Sequence, residues 1–140
     1  MKRIERSAIV EHSAAEMYAL VDDIESYPAF LPWCSGAQVE VVDGRKRATL
    51  TAGLRGLRQS FTTLNDNRPD EAIEMRLVEG PFRHFSAAWR FRPLGGDACR
   101  IEFVLEYEFA SRALGRLLEP LFDHIADTMV DVFTKRADAR

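Results

Sequence analysis

Apolar and polar residues alternate along most of the chain, which is the pattern of strands with one buried face. The clearest example is the segment 98–109. Its apolar positions are Ile101, Phe103, Leu105, Tyr107 and Phe109. The pattern repeats in 85–92 and 71–78, and weaker strands rich in Val, Ile, Thr and Phe are predicted over 3–11, 37–43, 46–54 and 57–65. The alternation therefore predicts a sheet of about seven strands with one wet face and one apolar face.

Turn residues separate these segments at regular intervals. Asp43-Gly44 is a typical two-residue hairpin sequence, because both residues tolerate a positive φ. Further turns are predicted at 65–69, 80–81 and 95–97, where Asn, Asp, Pro and Gly cluster. Short turns between alternating segments favour antiparallel strands that follow one another across the sheet.

Two segments have the helical period instead. Ser13 and Glu16 form a capping-box sequence, which predicts a short helix that starts after Ser13. The segment 111–137 places apolar residues three and four positions apart, with Ser111 as the expected N-cap. Pro120 lies inside that pattern and predicts a kink or a division of the helix, because proline removes one backbone hydrogen bond.

The predicted order of elements is one strand, a short helix, about six strands and a long helix, which defines an α+β fold. The length of 140 residues predicts a single domain over 1–140. An antiparallel sheet of this size curls, and one long helix covers only part of its apolar face. Either side chains or a bound ligand must fill the remainder of that face.

The composition excludes several classes of protein. Hydrophobic residues make up 46% and charged residues 29% of the sequence, as in a folded domain rather than a disordered chain. The formal net charge of −3 argues against a protein that coats nucleic acid or an anionic membrane by charge alone, and we expect no binding to DNA. No segment predicts a signal peptide or a membrane-spanning helix, so the sequence predicts a cytoplasmic protein.

Cysteine and histidine give no sign of a metal site. Cys34 and Cys99 are typical of reduced, partly buried thiols in a cytoplasmic protein. His12, His84 and His124 are far apart in the sequence, whereas a zinc site needs clustered ligands. We therefore expect neither a metal nor a required cofactor.

An apolar and aromatic segment with two prolines occupies 23–36, and we call it the proline-aromatic segment. Pro28 and Pro32 exclude an ordinary helix or a central strand there. Because the segment is too apolar to remain in solvent, we expect it to cover one end of the sheet or to contact a ligand or a partner.

Several motifs together resemble one known family. The matching segments are Tyr27-Pro28, Phe30 to Cys34, Gly56 to Thr63, Leu77 to Phe82, Trp89-Arg90-Phe91, Phe109, Ser111, Ile125-Ala126, Met129-Val130 and Lys135-Arg136. They occur in order from about residue 3 to residue 137, and this spread makes the likeness specific. The sequence resembles the coenzyme Q-binding START-like proteins, a group of the polyketide cyclase/START-like superfamily whose bacterial members include ribosome-association toxins.

The resemblance implies a helix-grip fold, in which a curved antiparallel sheet wraps a long C-terminal helix and leaves an apolar cavity between them. It also implies one of two functions. Some relatives bind ubiquinone and support respiration, whereas others bind the large ribosomal subunit and block the joining of the subunits. Sequence similarity does not separate these roles, and our first interpretation is the non-catalytic binding of a lipid.

A quinone with a polyprenyl tail requires a long apolar cavity with few polar anchors. Candidate lining residues come from the sheet, the long helix and the proline-aromatic segment: Phe61, Met75, Leu77, Phe85, Trp89, Phe103, Leu121, Ile125, Met129, Phe30, Leu31 and Trp33. The last three would form the mouth of the cavity, and a lipid ligand would bring the protein into transient contact with the inner membrane. The alternative is that all these residues simply pack the core, as regularly spaced aromatic residues usually do.

Binding to the ribosome would use exposed basic residues instead. Arg45, Lys46 and Arg47 adjoin a predicted hairpin turn and are the candidates for contact with phosphate. Further basic groups are Lys2 with Arg3 and Arg6, Arg55 with Arg58, and Arg90 with Arg92. The alternative is that these are solvated charges paired with nearby carboxylates. The GXXG spacing at 53–56 resembles a KH loop, but that loop joins helices and this one is flanked by strands.

Catalysis has little support in the sequence. His124 has no evident partner, and Asp127 and Asp131 have the spacing of an exposed helix face. Motifs for a catalytic triad, a nucleophile elbow, a zinc protease or a phosphate-binding loop are absent. We therefore expect a binding protein rather than an enzyme, although some START-like relatives are aromatases or cyclases.

Overall fold

The computed structural model describes residues 1–140, and its elements follow the predicted order. The strands are β1 (Lys2–Val10), β2 (Cys34–Val42), β3 (Arg45–Leu54), β4 (Leu57–Arg68), β5 (Ala72–Glu79), β6 (Phe82–Gly95) and β7 (Ala98–Phe109). The helices are α1 (Ala14–Asp22), a 3-10 helix (Ile24–Ala29) and α2 (Arg112–Asp138).

The seven strands form one antiparallel sheet in the order β1-β7-β6-β5-β4-β3-β2. From β2 to β7 each strand pairs with the next along the chain, and β1 pairs with β7. The sheet curls around α2, which packs mainly against β7 and β1 and also reaches β3. The predicted α+β helix-grip architecture is confirmed, and the bounds of β7 agree with the alternation over 98–109.

The strand period decides which residues face α2. In β7, Ile101, Phe103 and Leu105 are almost fully buried. Phe103 lies opposite Trp89 of β6, and Trp89 lies opposite Ile73 of β5, so one apolar face continues across the strands. We call this face, which is turned towards α2, the inner face. Burial of each large side chain of this kind stabilises the fold by roughly 1.5–3 kcal/mol.

Both predicted helix starts are confirmed. The Ser13 hydroxyl accepts a hydrogen bond from the backbone N–H of Glu16 at 3.1 Å, and Ser111 does the same for Leu114 at 3.2 Å. Satisfying these otherwise unpaired N–H groups stabilises each first turn. None of the helices combines the length and the apolarity that a crossing of the bilayer requires.

Helix α2 continues through Pro120, so of the two predicted effects of this proline the division is excluded, and the kink stays a prediction. Because proline has no backbone N–H, the Arg116 carbonyl loses its hydrogen bond within the helix. Arg116 and Pro120 are both exposed, so water can donate to this carbonyl instead. On the other side of the same turn, Leu118, Leu121 and Phe122 are buried and hold the helix to the sheet.

The turns follow the predictions except at one site. Asp43 and Gly44 have φ values of 52° and 77°, which is the geometry of the predicted two-residue hairpin. The turn predicted at 65–69 lies later in the chain, at Arg68 to Glu71, because β4 runs on to Arg68. The Asn65 and Asn67 side chains make hydrogen bonds within the fold instead of forming a turn.

Candidate functional site

All the residues predicted to line a ligand site belong to the core or pack against it. Those that are buried are Leu31, Trp33, Phe61, Phe85, Trp89, Phe103, Leu121, Ile125 and Met129. Those that are half-buried are Phe30, Met75 and Leu77. The structure therefore brings the predicted residues of the sheet, of α2 and of the proline-aromatic segment together on the inner side of the sheet. The surroundings of these residues differ from one end of the inner face to the other.

One end of the inner face is filled by aromatic rings in mutual contact, and we call Phe61, Phe82, Phe85 and Phe122 the aromatic end. The Phe82 ring centroid lies 5.0 Å from that of Phe85 and 5.0 Å from that of Phe122. The Phe61 ring lies 5.6 Å from that of Phe122. These separations are typical of packed aromatic pairs, so this end is a core that joins β4 and β6 to α2.

A second part of the inner face is less covered. Half-buried apolar side chains continue across β2, β3 and β5, and we call them the apolar band: Ala37, Val39, Leu50, Met75 and Leu77. The register places Ala37 opposite Leu50, and it places Leu77 and Met75 opposite the buried Thr63 and Asn65 of β4. Because α2 packs mainly against β7 and β1, the apolar band retains accessible apolar surface beside the core.

Polar side chains gather where the inner face meets α1, and we call Tyr18, Asp22, Lys46, Asn65 and Asn67 the polar cluster. Lys46 Nζ donates to Asp22 Oδ1 at 2.8 Å and to the Asp22 carbonyl at 3.2 Å. Asn67 Nδ2 donates to Asp22 Oδ1 at 2.7 Å and to the Tyr18 hydroxyl at 2.9 Å. The cluster therefore ties β3 and β4 to α1.

The polar cluster has one deeply buried member and one unpaired acceptor. Asn65 is 2% exposed, and its Oδ1 accepts a hydrogen bond from the Thr63 hydroxyl at 2.7 Å. Asn67 Oδ1 is buried, and no donor of the chain reaches it. Tyr18, Asp22 and Lys46 also line a surface cleft of about 610 Å³, so the cluster adjoins solvent-accessible space.

Sequence reasoning missed the polar cluster. It assigned Asn65 and Asn67 to a turn and treated Lys46 only as a candidate for contact with phosphate. The alternation that begins at Phe61 continues through Thr63 to Asn67, and that signal could have identified the inward-facing amides. Polar residues at inner positions of a strand are informative, because burial of an amide is unfavourable unless it has hydrogen-bonding partners.

The proline-aromatic segment packs against the end of α2. Its 3-10 helix buries Tyr27, whose hydroxyl donates to the Val21 carbonyl and whose pKa is raised by burial. The Phe30 ring contacts Phe133 at 5.3 Å between centroids, and the Arg136 guanidinium lies 4.9 Å from the Phe30 ring centre. The segment therefore packs against the core at the end of α2, and its contact with a ligand or a partner stays a prediction.

Most of the basic residues proposed for the ribosome lie near carboxylates. Arg45 Nε is 2.7 Å from Asp66 Oδ1, Lys46 Nζ is 2.8 Å from Asp22 Oδ1, and Arg47 Nε is 3.7 Å from Glu40 Oε1. Lys2, Arg3, Arg6, Arg90 and Arg92 also have carboxylate partners. Arg45 and Arg47 remain about half exposed, with side-chain exposures of 48% and 41%. Most of these basic residues therefore form ion pairs with nearby carboxylates.

A smaller set of cations has no carboxylate within 4.0 Å: Arg55, Arg58, Arg112, Arg116, Lys135, Arg136 and Arg140. Arg55 and Arg58 are exposed at the hairpin that joins β3 and β4, and the others lie on α2 or at the end of the chain. Strands flank the GXXG sequence at 53–56, whereas a KH loop joins two helices, so this sequence does not form a KH loop.

The candidate catalytic residues do not form a common site. His124 is exposed on α2, Asp127 pairs with Arg6 at 2.5 Å, and Asp131 is exposed. The structure contains no group of three or more His, Cys, Asp and Glu side chains that could hold a metal ion. Burial raises the pKa of both thiols, Cys34 and Cys99, which makes them poor nucleophiles at neutral pH.

Comparison with known proteins identifies the family. A family model described as "Polyketide cyclase / dehydrase and lipid transport" matches residues 10–134. The chain belongs to this family. The match spans the strands β2 to β7 and most of α2, so it includes the apolar band and the polar cluster.

Relatives within the polyketide cyclase/dehydrase and lipid transport family carry two kinds of name. The Escherichia coli protein named "Ribosome association toxin RatA" is 41% identical over 138 residues, which cover 98% of this chain and 87% of that protein. The Xenopus laevis protein named "Coenzyme Q-binding protein COQ10 homolog B, mitochondrial" is 32% identical over 97% of this chain and 59% of that protein. Both names agree with the resemblance that the sequence motifs carry.

Solved structures of other proteins share the fold. The Zhui aromatase/cyclase of a Streptomyces species superposes with a TM-score of 0.86 at 18% identity, covering 99% of this chain and 94% of that chain. An 18 kDa protein from Caulobacter crescentus superposes with a TM-score of 0.77 at 32% identity, covering 99% and 97%. The helix-grip arrangement of sheet and α2 is therefore shared by proteins of quite different sequence.

Proposed function

We propose that the protein binds a hydrophobic ligand, a ubiquinone-like polyprenyl lipid, without transforming it, and that it supports respiration in this way. The observation that carries the proposal is the apolar band, which is half-buried apolar surface on the inner face beside the core. Binding of a lipid would remove this surface from water, at roughly 25 cal/mol for each Å² of apolar area. The coenzyme Q-binding name of the Xenopus relative supports the same class of ligand.

Entry of a long polyprenyl tail between the apolar band and α2 would require movement at the border of the band. We propose that the proline-aromatic segment and the adjacent end of α2 open together, with Phe30, Leu31 and Trp33 at the mouth. Phe30 is the half-buried member of this set and contacts Phe133 and Arg136 of α2. The predicted lining residues of the sheet and of α2 would then contact the tail of the ligand.

The first test is the composition of the protein isolated from its own cells. Native mass spectrometry followed by organic extraction is expected to find about one quinone or other polyprenyl lipid per chain. A protein that carries no lipid, and that does not take up added decylubiquinone, would contradict the proposal.

A matched pair of variants locates the ligand. Leu77 belongs to the apolar band, whereas its neighbour Val78 points to the opposite face and is 44% exposed. Leu77→Gln is expected to weaken binding of decylubiquinone by roughly tenfold, because an unpaired amide replaces an apolar contact. Val78→Gln is the control and should leave the dissociation constant unchanged. Equal effects of the two substitutions would exclude the apolar band as the site.

We propose ribosome association as the second candidate function, because relatives at 40–43% identity over nearly the whole chain carry that name. Exposed cations without carboxylate partners support it. Among them, Arg55 and Arg58 lie three positions apart at the hairpin between β3 and β4. The hairpin residues Arg45, Lys46 and Arg47 remain candidate contacts. Phosphate contact would require that Arg45 and Arg47 exchange their carboxylates for the ribosomal backbone.

Sucrose-gradient profiles test this second function. Overexpression is expected to increase free subunits at the expense of whole ribosomes, and unchanged profiles would contradict the proposal. Replacing Arg55 and Arg58 together by Gln should reduce the effect, as should replacing Arg45 and Arg47 together. Arg83→Gln is the control, because Arg83 is not among the candidate residues and pairs with Glu108 at 3.1 Å.

We propose a cytoplasmic location with transient contact at the inner membrane, as the loading of a lipid from a bilayer would require. Cell fractionation is expected to recover most of the protein in the soluble fraction and a small part with inner-membrane vesicles. A protein found entirely in the membrane pellet after a wash with high salt would contradict this location.

A further inference from the structure

The polar cluster fixes the orientation of the Asn67 amide. Asp22 bears a carboxylate, which only accepts hydrogen bonds, so the group that faces Asp22 Oδ1 at 2.7 Å must be the amide nitrogen of Asn67. The same nitrogen donates to the Tyr18 hydroxyl at 2.9 Å. The amide oxygen is therefore directed away from both partners, and it is buried without a donor from the chain.

The lysine that shares Asp22 with Asn67 has other partners. Lys46 Nζ is held by the carboxylate and the carbonyl of Asp22 at 2.8 and 3.2 Å. A buried carbonyl oxygen is nearly always paired in folded proteins, so Asn67 Oδ1 calls for a donor from outside the chain.

The position of the polar cluster relates it to the proposed ligand. Asn65 lies opposite Met75 of the apolar band, and Lys46 lies opposite Asn65, so the polar and apolar parts of the inner face are continuous. Tyr18, Asp22 and Lys46 line the cleft of about 610 Å³. A molecule with an apolar chain and a small polar head would match this sequence of surfaces, with its chain on the apolar band and its head in the polar cluster.

We propose that the polar cluster holds the headgroup of the ligand, and that the headgroup must supply a hydroxyl donor to Asn67 Oδ1. This inference rests on the proposed lipid-binding function. A quinol or a long-chain alcohol carries such a hydroxyl, whereas an oxidised quinone or an ether carries only acceptors. The Tyr18 hydroxyl, which accepts from Asn67, keeps its own proton to donate to an oxygen of the same headgroup. The protein therefore discriminates in favour of the reduced form of a quinone.

The test compares two matched pairs of probes under anaerobic conditions: decylubiquinol against decylubiquinone, and 1-dodecanol against dodecyl methyl ether. Isothermal titration is expected to show that the hydroxyl member of each pair binds about tenfold more tightly, because the other member leaves a buried acceptor unpaired. A preference within the quinone pair alone assigns the site to a quinol ring, and one within the second pair alone assigns it to a fatty alcohol.

Equal affinities within both pairs would overturn the inference and leave the lipid-binding function standing. Failure of all four probes to bind would overturn both. Asn67→Leu is expected to abolish the preference while the oxidised quinone still binds, and Asp66→Ala, on the outer face beside it, is the control. The comparison of probes on the unmodified protein decides the matter even if the Asn67 variant does not fold. A preference that persists in a folded Asn67→Leu variant would also overturn the inference.

Discussion

His12 connects the beginning of α1 to the end of α2 through two carboxylates. Its Nδ1 lies 2.6 Å from Glu16 Oε2 and its Nε2 lies 2.7 Å from Asp138 Oδ1. The hydrogen bond with Asp138, followed by that with Glu16, raises the pKa of His12 above its ordinary value of 6.5. The protonated imidazole donates from both nitrogens, so only the charged form satisfies both carboxylates.

This pair of contacts predicts a dependence of stability on pH. Because the pKa of His12 is higher in the folded than in the unfolded protein, its contribution is present below the unfolded value of 6.5 and is lost as the pH rises through the folded value. Between about pH 5 and about pH 9, the melting temperature of the wild type should fall by more than that of His12→Gln. His124→Gln, at an exposed position, is the control. Equal slopes for wild type and His12→Gln would contradict the prediction.

At single residues, the sequence predicted what depends on local geometry. Ser13 and Ser111 were identified as helix caps because the capping hydrogen bond reaches only three residues along the chain. The roles of Asn67 and Lys46 depend on Asp22 and Tyr18, which are far from them in sequence, so residue type and spacing did not predict them.

Among the elements, Pro120 of α2 offers a direct test. Pro120→Ala restores the backbone N–H that can donate to the Arg116 carbonyl, and the new side chain faces solvent. We expect the free energy of unfolding to increase by roughly 1–3 kcal/mol, since proline inside a helix costs about 3 kcal/mol relative to alanine. Urea denaturation measures this change. An unchanged or lower stability would mean that the curved sheet requires a helix bent at this position.

The strands were predicted best where both neighbours are also strands with clear alternation. The bounds of β7 match the predicted 98–109, because β7 lies between β1 and β6 and its inner positions are all large and apolar. Strand β6 extends beyond the predicted 85–92 to Phe82–Gly95, since pairing with β7 continues where the alternation has ended. Strand β4 extends to Arg68 because pairing with β5 outweighs the turn tendency of its Asn residues.

For the whole molecule, we predict that residues 1–140 unfold as one domain. The core is continuous from the proline-aromatic segment through the sheet to α2, and no part of the sheet has a core of its own. Unfolding curves in urea followed by tryptophan fluorescence and by far-ultraviolet circular dichroism should therefore coincide. Two separate midpoints would contradict a single cooperative domain.

The sequence also predicted that the candidate site is an apolar sheet face next to a long helix. It did not predict which residues of that face remain accessible. Alternation identified the apolar face and the long helix that grips it, and the family motifs identified the class of fold. Which inner residues fill the core and which stay accessible depends on where α2 lies across the sheet. That position is set by contacts with β1 and β7, which involve residues from both ends of the chain.

The burial of both tryptophans provides two separate optical reporters. Trp33 is 2% exposed in the proline-aromatic segment, and Trp89 is 2% exposed in β6 with its ring 5.3 Å from that of Phe133. Replacement of either one by Phe would leave a protein with a single tryptophan. Lifting of the proline-aromatic segment alone would shift the emission of Trp33 to longer wavelength, whereas opening of the adjacent end of α2 would also change that of Trp89, which packs against Phe133. Loading of a lipid could therefore be followed in real time as a local event, spectrally distinct from the loss of the fold.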